Sequence, residues 1–516
     1  MTQKLSRNLY RAGIVLSFLI VNAAVLYGIG SIWSYLNTGA DRSSMLKTGV
    51  KAEKLYVPSI DWDTTSYEGR IMEPQSLKEI ERDYLNAWYV KNLAYKNNEV
   101  LRIDDYYTDS ARVNIYRNIA FNKEADLNFE STSLEHHPKL NFYSADGQMV
   151  VFKDRNVLEY THNFEQDTFT GTSVDTASYQ VMMLLEDGFW RIRHLKRLQP
   201  ELTGIDTTLN PEWQVKGRSV YLRDSLYSIK GINYYPKETP WDMYGDEFDI
   251  QVIERDFELI RSANLNTVRI FIPYEGFGKN KLVENKLEKL EKVLNVAEAQ
   301  QLKVILTFFD FYGDYSVLGW TQTHSHARKL LKRFKDHPAI MAFDIKNEPD
   351  LDFDNRGKDL VTNWLRYTID QFRRLAPGKL VTIGWAKPEN AHLLKEEVDM
   401  ISFHYYGDPS DFENIYTRLS SKISKPLILE EFGISSYDGI WKPFSGDEEE
   451  QALYHQKMQA FLAKEKLAFL SWTLYDFKEI PGRVVGPLPW RRAFQKEFGF
   501  FDYSGNPKPA FKYISN

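Results

Sequence analysis

The sequence predicts an α/β protein whose main part is a (β/α)8 TIM barrel, preceded by a smaller α+β domain and an N-terminal transmembrane helix. Three observations carry this prediction. From residue 212 to residue 516, eight apolar strand patterns alternate with helical patterns at intervals of about 30 residues. Residues 75–200 combine a long amphipathic helix with alternating strand patterns, and residues 12–36 contain no charged side chain.

The uncharged segment at residues 12–36 is 25 residues long. As a helix it would span about 37 Å, which is enough to cross a bilayer with some tilt. A cleaved signal peptide is the competing interpretation, but the apolar core of such a peptide is usually only about 7–15 residues long. We therefore expect an uncleaved single-pass anchor in the cytoplasmic (inner) membrane.

The orientation of this anchor is indicated by basic residues. Lys4, Arg7 and Arg11 precede the apolar run, which places residues 1–11 in the cytoplasm and the bulk of the chain outside it, in an extracytoplasmic or periplasmic location. Basic residues also follow the run and weaken this asymmetry; they are Arg42, Lys47, Lys51 and Lys54.

The composition limits the classes of ligand and cofactor. With a net charge of −6, the chain lacks the basic excess of a nucleic-acid-binding protein, so no nucleic-acid partner is expected. The absence of Cys excludes disulfides, thiol catalysis and thiolate metal sites. Aromatic residues make up 14% of the chain, a supply that suits stacking on sugar faces, although most of these rings must be core.

Residues 37–74 lack a sustained hydrophobic period and are expected to form a linker. In the following segment, Leu77, Ile80, Tyr84, Leu85 and Trp88 recur at helical spacing. Residues 148–160 and 178–195 alternate as strands do, and turns are expected at Asp146-Gly147 and Asp187-Gly188.

One long helix followed by long antiparallel strands that end in the segment Gly188-Phe189-Trp190-Arg191-Ile192 resembles the cone-shaped fold of the nuclear transport factor 2-like superfamily. That superfamily contains both enzymes and inert modules, so the resemblance implies no activity. For the polar clusters His136-His137 and Asp104-Asp105, a solvated surface is the expected environment. Since no residue of this domain is expected at the mouth of the barrel, we expect it to be dispensable for the chemistry of the barrel.

The barrel domain is expected to begin with a hairpin, in which residues 215–222 and 226–229 pair across Arg223-Asp224-Ser225. The eight candidate barrel strands are residues 228–235, 267–272, 303–308, 340–346, 380–385, 400–405, 426–431 and 468–474. Most are rich in Val, Ile, Leu and Phe, as parallel strands buried on both faces should be. The chemistry of such a barrel lies where strands end and βα loops begin.

Two carboxylates fall at those strand ends. Glu348 follows the fourth strand within Asn347-Glu348-Pro349, and Glu431 ends the seventh strand before Phe432-Gly433. Cleavage of a glycosidic bond with retention needs such a pair, because one carboxylic acid protonates the leaving oxygen while an opposed carboxylate attacks the anomeric carbon. Asn347 is then placed to hold the sugar 2-hydroxyl.

With these motifs the sequence resembles the clan of TIM-barrel retaining glycosidases, and within it glycoside hydrolase family five with its cellulase and mannanase relatives. The resemblance covers roughly residues 216–516. It implies that Glu348 is the general acid/base and Glu431 the nucleophile. Glu430 is the internal rival of Glu431, and strand alternation together with the family motif before Phe-Gly favours Glu431. No metal and no organic cofactor is needed for this chemistry.

The resemblance also implies a set of substrate-binding residues, namely Asn347, Arg269, His404, Tyr406, Trp472 and, from the first-strand motif, Asn233 and Tyr235. Arg269 and Tyr406 would donate hydrogen bonds to ionised Glu431 and lower its pKa, while Glu348 must stay protonated to act as the acid. His404 is either a donor to a sugar hydroxyl or a buffer of the protonation of the acid. After the third strand, where the family often has a His, this chain has Asp310 between Phe309 and Phe311.

Each of these positions also has a purely structural interpretation. Four tryptophans in or near βα loops are candidate sugar platforms, although each one alone is more often packing; they are Trp241, Trp320, Trp385 and Trp490. His324 and His326 have the spacing of metal ligands, but no third ligand is in sight, and helix capping or solvent exposure is the expected role.

Two functions are compatible with these features. The first is a membrane-anchored retaining β-glycoside hydrolase, an endo-β-glycanase or transglycosidase, acting on an extracytoplasmic polysaccharide or oligosaccharide. The second is a non-catalytic glycan-binding or scaffold component that has polysaccharide-synthesis machinery as its partner. A binding module has no need of both Glu348 and Glu431, which favours the enzyme.

Overall fold

The computed structural model describes residues 16–29, 56–201, 212–439, 446–486 and 488–515. Residues 16–29 form a helix. Among these described residues, no helix is both long enough and apolar enough to cross a membrane. The predicted anchor at residues 12–36 extends beyond this helix on both sides, and those flanks lie outside the described residues, as does the predicted linker as far as residue 55.

The small domain is built on a six-stranded, mostly antiparallel sheet and a separate parallel pair of two-residue strands, β1 and β4. Its strands are β1 (Ser59–Ile60), β2 (Glu68–Gly69), β3 (Leu127–Ser133), β4 (Glu135–His136), β5 (Pro138–Tyr143), β6 (Met149–Glu165), β7 (Thr168–Glu186) and β8 (Phe189–Leu198), and its helices are α1 (Pro74–Asn97), α2 (Ile103–Tyr106) and α3 (Asp109–Glu124). The sheet has the order β2-β5-β6-β7-β8, with β3 also paired to β6. The predicted helix and long strands are therefore present, and Asp187 and Gly188 have the positive φ of the predicted turn.

This domain starts earlier than the sequence indicated. Tyr56 is buried in its core, β1 pairs with β4, and β2 pairs with β5. Residues 56–73 therefore belong to the domain rather than to a linker. Strands of two residues carry too little hydrophobic periodicity to be recognised in a sequence.

His136 was expected on a solvated surface, and this expectation was wrong. The side chain is fully buried, with Nδ1 2.6 Å from Oδ2 of Asp154 and Nε2 3.0 Å from Oγ of Ser133. Tyr84 donates a hydrogen bond of 2.7 Å to the same Asp154 oxygen. A polar pair can be buried when each group has a partner, and the partners Asp154 and Tyr84 come from other segments of the chain. Asp104 is exposed as expected.

The segment before the barrel forms three short strands rather than the predicted two-stranded hairpin. They are β9 (Trp213–Lys216), β10 (Ser219–Leu222) and β11 (Ser225–Leu226). The additional turn lies at Gly217, whose φ of +60° is accessible to glycine without steric cost.

The barrel prediction is confirmed: eight parallel strands close in sequence order. They are β12 (Lys230–Asn233), β13 (Thr267–Pro273), β14 (Lys303–Asp310), β15 (Ile340–Asn347), β16 (Leu380–Trp385), β17 (Ile401–Tyr405), β18 (Leu427–Phe432) and β19 (Ala468–Ser471). The helices are α4 (Ile250–Ser262), α5 (Glu284–Ala299), α6 (Trp320–Phe334), α7 (Phe353–Arg356), α8 (Lys358–Leu375), α9 (Pro409–Ser420), α10 (Glu448–Glu465), α11 (Gly482–Val485) and α12 (Pro489–Lys496). Short 3-10 helices cover Val317–Gly319, Pro349–Asp352, Pro388–Asn390 and Pro509–Tyr513.

The small domain packs against the barrel beside α6. Tyr160 of β6 is part of the hydrophobic core cluster of the barrel. Polar contacts flank it: Val57 N donates to Oγ1 of Thr321 at 2.9 Å, and Arg328 donates to Asp61 at 2.8 Å. The interface therefore joins α6 to Val57 and Asp61, which lie in the predicted linker, and to β6 of the sheet.

Candidate functional site

Glu348 and Glu431 both lie at the mouth of the barrel. Glu348 directly follows β15, Glu431 lies in β18, and one oxygen of each carboxylate is within 4.8 Å of the other. Glu348 has φ 50° and ψ 50°, the left-handed conformation that a residue with a Cβ adopts at a cost of about 1 kcal/mol. The loop around Glu348 must hold it in this conformation. Its N–H donates to Gly384 O at 2.7 Å.

Arg269 is the centre of a buried hydrogen-bond network. Its Nη1 donates to Oε1 of Glu431 at 2.5 Å, and its Nη2 donates to Oδ2 of Asp344 at 2.6 Å and to Oδ1 of Asn347 at 2.9 Å. Although burial lowers the pKa of Arg269, the nearby carboxylates of Glu430, Asp344 and Glu431 outweigh burial and raise it. The guanidinium therefore stays charged and fixes both the strand-seven carboxylate and the Asn347 amide.

His404 and Tyr406 complete the surroundings of the two glutamates. Nδ1 of His404 is 3.1 Å from Oε1 of Glu348 and 3.5 Å from Oε2 of Glu431. Tyr406 donates its hydroxyl to Oε2 of Glu431 at 2.7 Å. Burial lowers the pKa of His404, but the carboxylates of Glu431, Glu348 and Glu430 outweigh it and raise the pKa to about 10. His404 thus directs Nδ1 at both glutamates, which orients their carboxyl groups.

Glu430 does not lie on the opposite side of the strand from Glu431, as simple alternation would require. Both carboxylates approach Arg269, with Oε1 of Glu430 3.7 Å from Nε. The pairing of β17 and β18 shifts register between Phe403 and His404, and such irregularities re-aim side chains. Glu430 is completely buried, and burial raises its pKa. It is therefore closed to a substrate, whereas Glu431 faces Glu348 and Tyr406.

The first-strand residues are close to the site but differ in what they offer. Asn233 is fully buried, accepts from Arg269 at 3.0 Å, and donates to the backbone oxygens of Glu430 and Ser471. Its side-chain amide is bonded through both the oxygen and the NH2 group and is closed to solvent. Asn233 therefore orients Arg269 rather than contacting a sugar. The Tyr235 ring stacks on Phe271 with centroids 5.1 Å apart. From the first-strand motif, Asn233 and Tyr235 were both predicted to bind substrate.

An aromatic cluster packs beside Arg269, because the guanidinium lies over the ring of Phe271 and Trp472 contacts the same ring. Trp472 lies 5.8 Å from Trp241 and 6.4 Å from Tyr235, measured between ring centroids. The indole Nε1 of Trp472 has no hydrogen-bond partner among the described residues. All three rings are buried, so in this structure they pack against one another more than they face solvent.

The remaining loop tryptophans mostly pack, as expected of each one alone, whereas the two histidines of α6 differ from expectation. Trp320 is not a sugar platform, because it is fully buried against the small domain. His324 and His326 are neither capping nor solvated: both are buried, His324 bonds to Glu135 and Tyr367, and His326 bonds to Lys279 O. No sequence signal marked the interdomain contacts. Trp385 is also buried, whereas Trp490 is half-buried.

Asp344 was missed by sequence reasoning. It is fully buried on β15, accepts from Arg269 and Thr307, and receives Gly384 N at 2.9 Å. Its position four residues before Glu348, directly after the apolar run Ile340–Phe343, could have marked it, since a charged residue in a buried strand needs a partner.

Within the described residues, Glu348, His404 and Glu431 are also close enough together to share a cation. Each of the three already interacts with another member of the group or with Arg269 and Tyr406. The same arrangement of two opposed carboxylates is the one that double displacement at a sugar requires.

Residues 228–478 match the model of the cellulase family, glycosyl hydrolase family 5. Beta-glucuronidase of Homo sapiens is 25% identical over 352 residues, which cover 62% of this chain and 50% of that protein. Mannan endo-1,4-beta-mannosidase F of Aspergillus clavatus is 23% identical over 197 residues, 29% of this chain and 45% of that enzyme. The chain thus spans about half the length of the curated relatives it matches.

Among solved structures, Bifidobacterium dentium beta-glucuronidase complexed with coumarin-3-O-glucuronide aligns with a TM-score of 0.48 at 16% identity, covering 76% of this chain and 66% of that one. The family match together with the glycosidase relatives indicates that the barrel is a glycoside hydrolase domain similar to family 5.

Proposed function

We propose that the protein is a retaining β-glycoside hydrolase in which Glu431 is the nucleophile and Glu348 the general acid/base. The observation that carries the proposal is the approach of the two carboxylates, within 4.8 Å of one another between their nearest oxygens. A retaining pair has its carboxyl groups about 5–5.5 Å apart, whereas an inverting pair needs roughly 6.5–9.5 Å to admit a water. Oxygens this close suit the retaining arrangement, in which the nucleophile reaches the anomeric carbon directly.

The contacts of each glutamate fit its role. Glu431 accepts hydrogen bonds from Arg269 and Tyr406, which favour the carboxylate and aim its oxygens. Oε1 of Glu348 lies 3.1 Å from Nδ1 of His404, a contact that orients the carboxyl group to give a proton to the leaving oxygen and then to take one from the attacking water. Asn347 is held through its oxygen by Arg269, which leaves its NH2 group as the donor for a sugar 2-hydroxyl.

We further propose that the enzyme is an endo-β-glycanase or transglycosidase that acts on a polysaccharide outside the cytoplasm. The small domain is proposed to be nuclear transport factor 2-like. Residues 12–36 are proposed to anchor the protein in the inner membrane. The uncharged run supports the anchor. Its test is extraction: the intact protein should stay in the membrane fraction after high-salt and alkaline washes. A mature N-terminus beyond residue 36 would contradict the anchor.

The test of activity uses the full-length protein on aryl β-glucosides, β-mannosides and β-glucuronides, and on mannan, β-glucan and xylan. The relatives named above motivate the inclusion of mannan and glucuronides. Glu431→Ala should abolish turnover of every substrate. Glu348→Ala should still be glycosylated by aryl glycosides with good leaving groups and then stall, and azide should relieve the stall by forming a β-glycosyl azide.

Glu413→Ala is the matched control, because Glu413 is an exposed carboxylate on α9 that forms an ion pair with Lys464 of α10, away from the barrel mouth. The alternative function, a non-catalytic glycan-binding component of a polysaccharide-synthesis assembly, predicts a different pattern. The protein would then bind a glycan without turnover, and Glu431→Ala would leave binding intact.

A further inference from the structure

A continuous path of contacts joins the small domain to the loop that carries Glu348. It begins at the interface, where the ring of Trp320 lies 5.4 Å from that of Tyr160 and 5.3 Å from that of His162, both on β6 of the small domain. On its other side Trp320 stacks on Tyr367 of α8, with centroids 4.9 Å apart and an interplanar angle of 8°. Trp320 is therefore enclosed by rings from both domains.

The path continues into the loop after β14. Nε1 of Trp320 donates to Tyr315 O at 3.1 Å, and the hydroxyl of Tyr315 donates to Oδ2 of Asp352 at 2.5 Å. Both groups are buried, so these hydrogen bonds are made away from water, where a lost partner is costly. The position of the Tyr315 hydroxyl thus depends on the position of Trp320.

Asp352 ends the 3-10 helix Pro349–Asp352, which starts directly after Glu348. The same Asp352 oxygen is 3.3 Å from Nζ of Lys346, and that ammonium donates to Asn347 O at 3.2 Å. Asp352 and Lys346 therefore bracket Glu348 on either side along the chain. Because Glu348 has a left-handed backbone, its geometry depends on these outer supports.

We propose that the small domain is a positioning element of the active site, acting through Trp320, Tyr315 and Asp352 to hold Glu348 in its catalytic conformation. The inference rests on the proposed role of Glu348 as acid/base. It replaces the expectation that the domain is dispensable, which considered only residues at the barrel mouth. Tyr315 and Asp352 are positioning residues, since they act through the backbone of Glu348.

The first test removes one hydroxyl from the path. Tyr315→Phe should lower kcat/KM about tenfold for substrates with poor leaving groups, which need the acid, and much less for 2,4-dinitrophenyl glycosides, which do not. With the activated substrate, azide should raise kcat of the variant. Hydrolysis of the glycosyl-enzyme intermediate needs Glu348 to activate water, whereas azide attacks without a base. Tyr312→Phe is the matched control: its hydroxyl is in the same loop and has no hydrogen-bond partner among the described residues.

An equal loss for both classes of leaving group, or no loss in Tyr315→Phe, would overturn the positioning role. Absence of any turnover by the wild-type protein would instead refute the proposed function. The second test separates these failures, because it needs no substrate. In Tyr160→Ala, hydrogen–deuterium exchange should rise in the peptide covering residues 347–353 and stay unchanged in the peptide covering β17. Unchanged exchange at residues 347–353, or an equal rise in both peptides, would contradict the coupling.

Discussion

Arg269 and Glu431 are joined by a hydrogen bond of 2.5 Å between Nη1 and Oε1, and the same guanidinium also binds Asp344 through Nη2 at 2.6 Å. One planar cation thus ties the strand-seven carboxylate to strand four. A lysine has a single ammonium group and cannot reproduce these parallel contacts.

Arg269→Lys should therefore leave at least one buried carboxylate without its partner. We expect the free energy of unfolding to fall by about 3–5 kcal/mol, and kcat/KM to fall about 100-fold because Glu431 is no longer oriented. Chemical denaturation and steady-state kinetics measure the two effects. Arg255→Lys is the control, since Arg255 is bound within α4 to Gln251 O. Wild-type activity in Arg269→Lys would contradict the role of the guanidinium.

Gly384 lies against the same cluster. A methyl group at this position would be 2.7 Å from Oε2 of Glu430, 2.8 Å from Nη2 of Arg269 and 3.2 Å from Nε2 of His404. Gly384→Ala should displace these groups, reduce activity at least tenfold and destabilise the fold by about 1–3 kcal/mol. Gly378→Ala, where the added methyl meets nothing within 4 Å, should leave kinetics and thermal unfolding unchanged. Equal behaviour of the two variants would argue against this packing.

The Asp154 network should dominate the stability of the small domain. Asp154 is fully buried and binds His136, Tyr84 and the backbone N–H of His137. Asp154→Ala leaves these buried donors without a hydrogen-bond partner and should lower the free energy of unfolding by about 3–5 kcal/mol. Asp175→Ala breaks an exposed pair with Arg197 and should cost less than about 1 kcal/mol. The order of the two losses in urea unfolding is the decisive measurement.

His162 makes the stability of the domain interface depend on pH. Its ring is buried between Phe169 and Trp320, and burial lowers its pKa to about 4. Because the folded pKa lies below the unfolded value of about 6.5, the unfolded chain binds the proton first. The stabilisation is present above pH 6.5 and is lost as the pH falls through 4.

His162→Phe keeps a ring at this position and removes the titration. Relative to the wild-type protein, the variant should gain up to about 3 kcal/mol of stability as the pH falls from 6.5 to 4. The comparison must be a difference between the two proteins, since His326 and His455 also have lowered pKa values and remain in both. A difference in stability that does not change over this range would contradict the assignment.

The sequence by itself determined the barrel and the two glutamates. Parallel strands buried on both faces are continuous apolar runs, so all eight were recognisable, and Glu348 and Glu431 stand directly at two of their ends. These properties can be recognised within a short stretch of the chain, without knowing which residues pack against it in the fold. The N-terminal strands of the small domain lacked such a signal because each has two residues.

The tertiary structure alone decided which side chains meet. It placed Glu430 beside Arg269 through an irregular strand pairing, and it used Asn233 as a support for Arg269. It also enclosed Trp320 between two domains, which decided between packing and a sugar platform for this residue. These contacts join residues far apart in sequence, and their partners are set by strand register and domain packing, which no local pattern encodes.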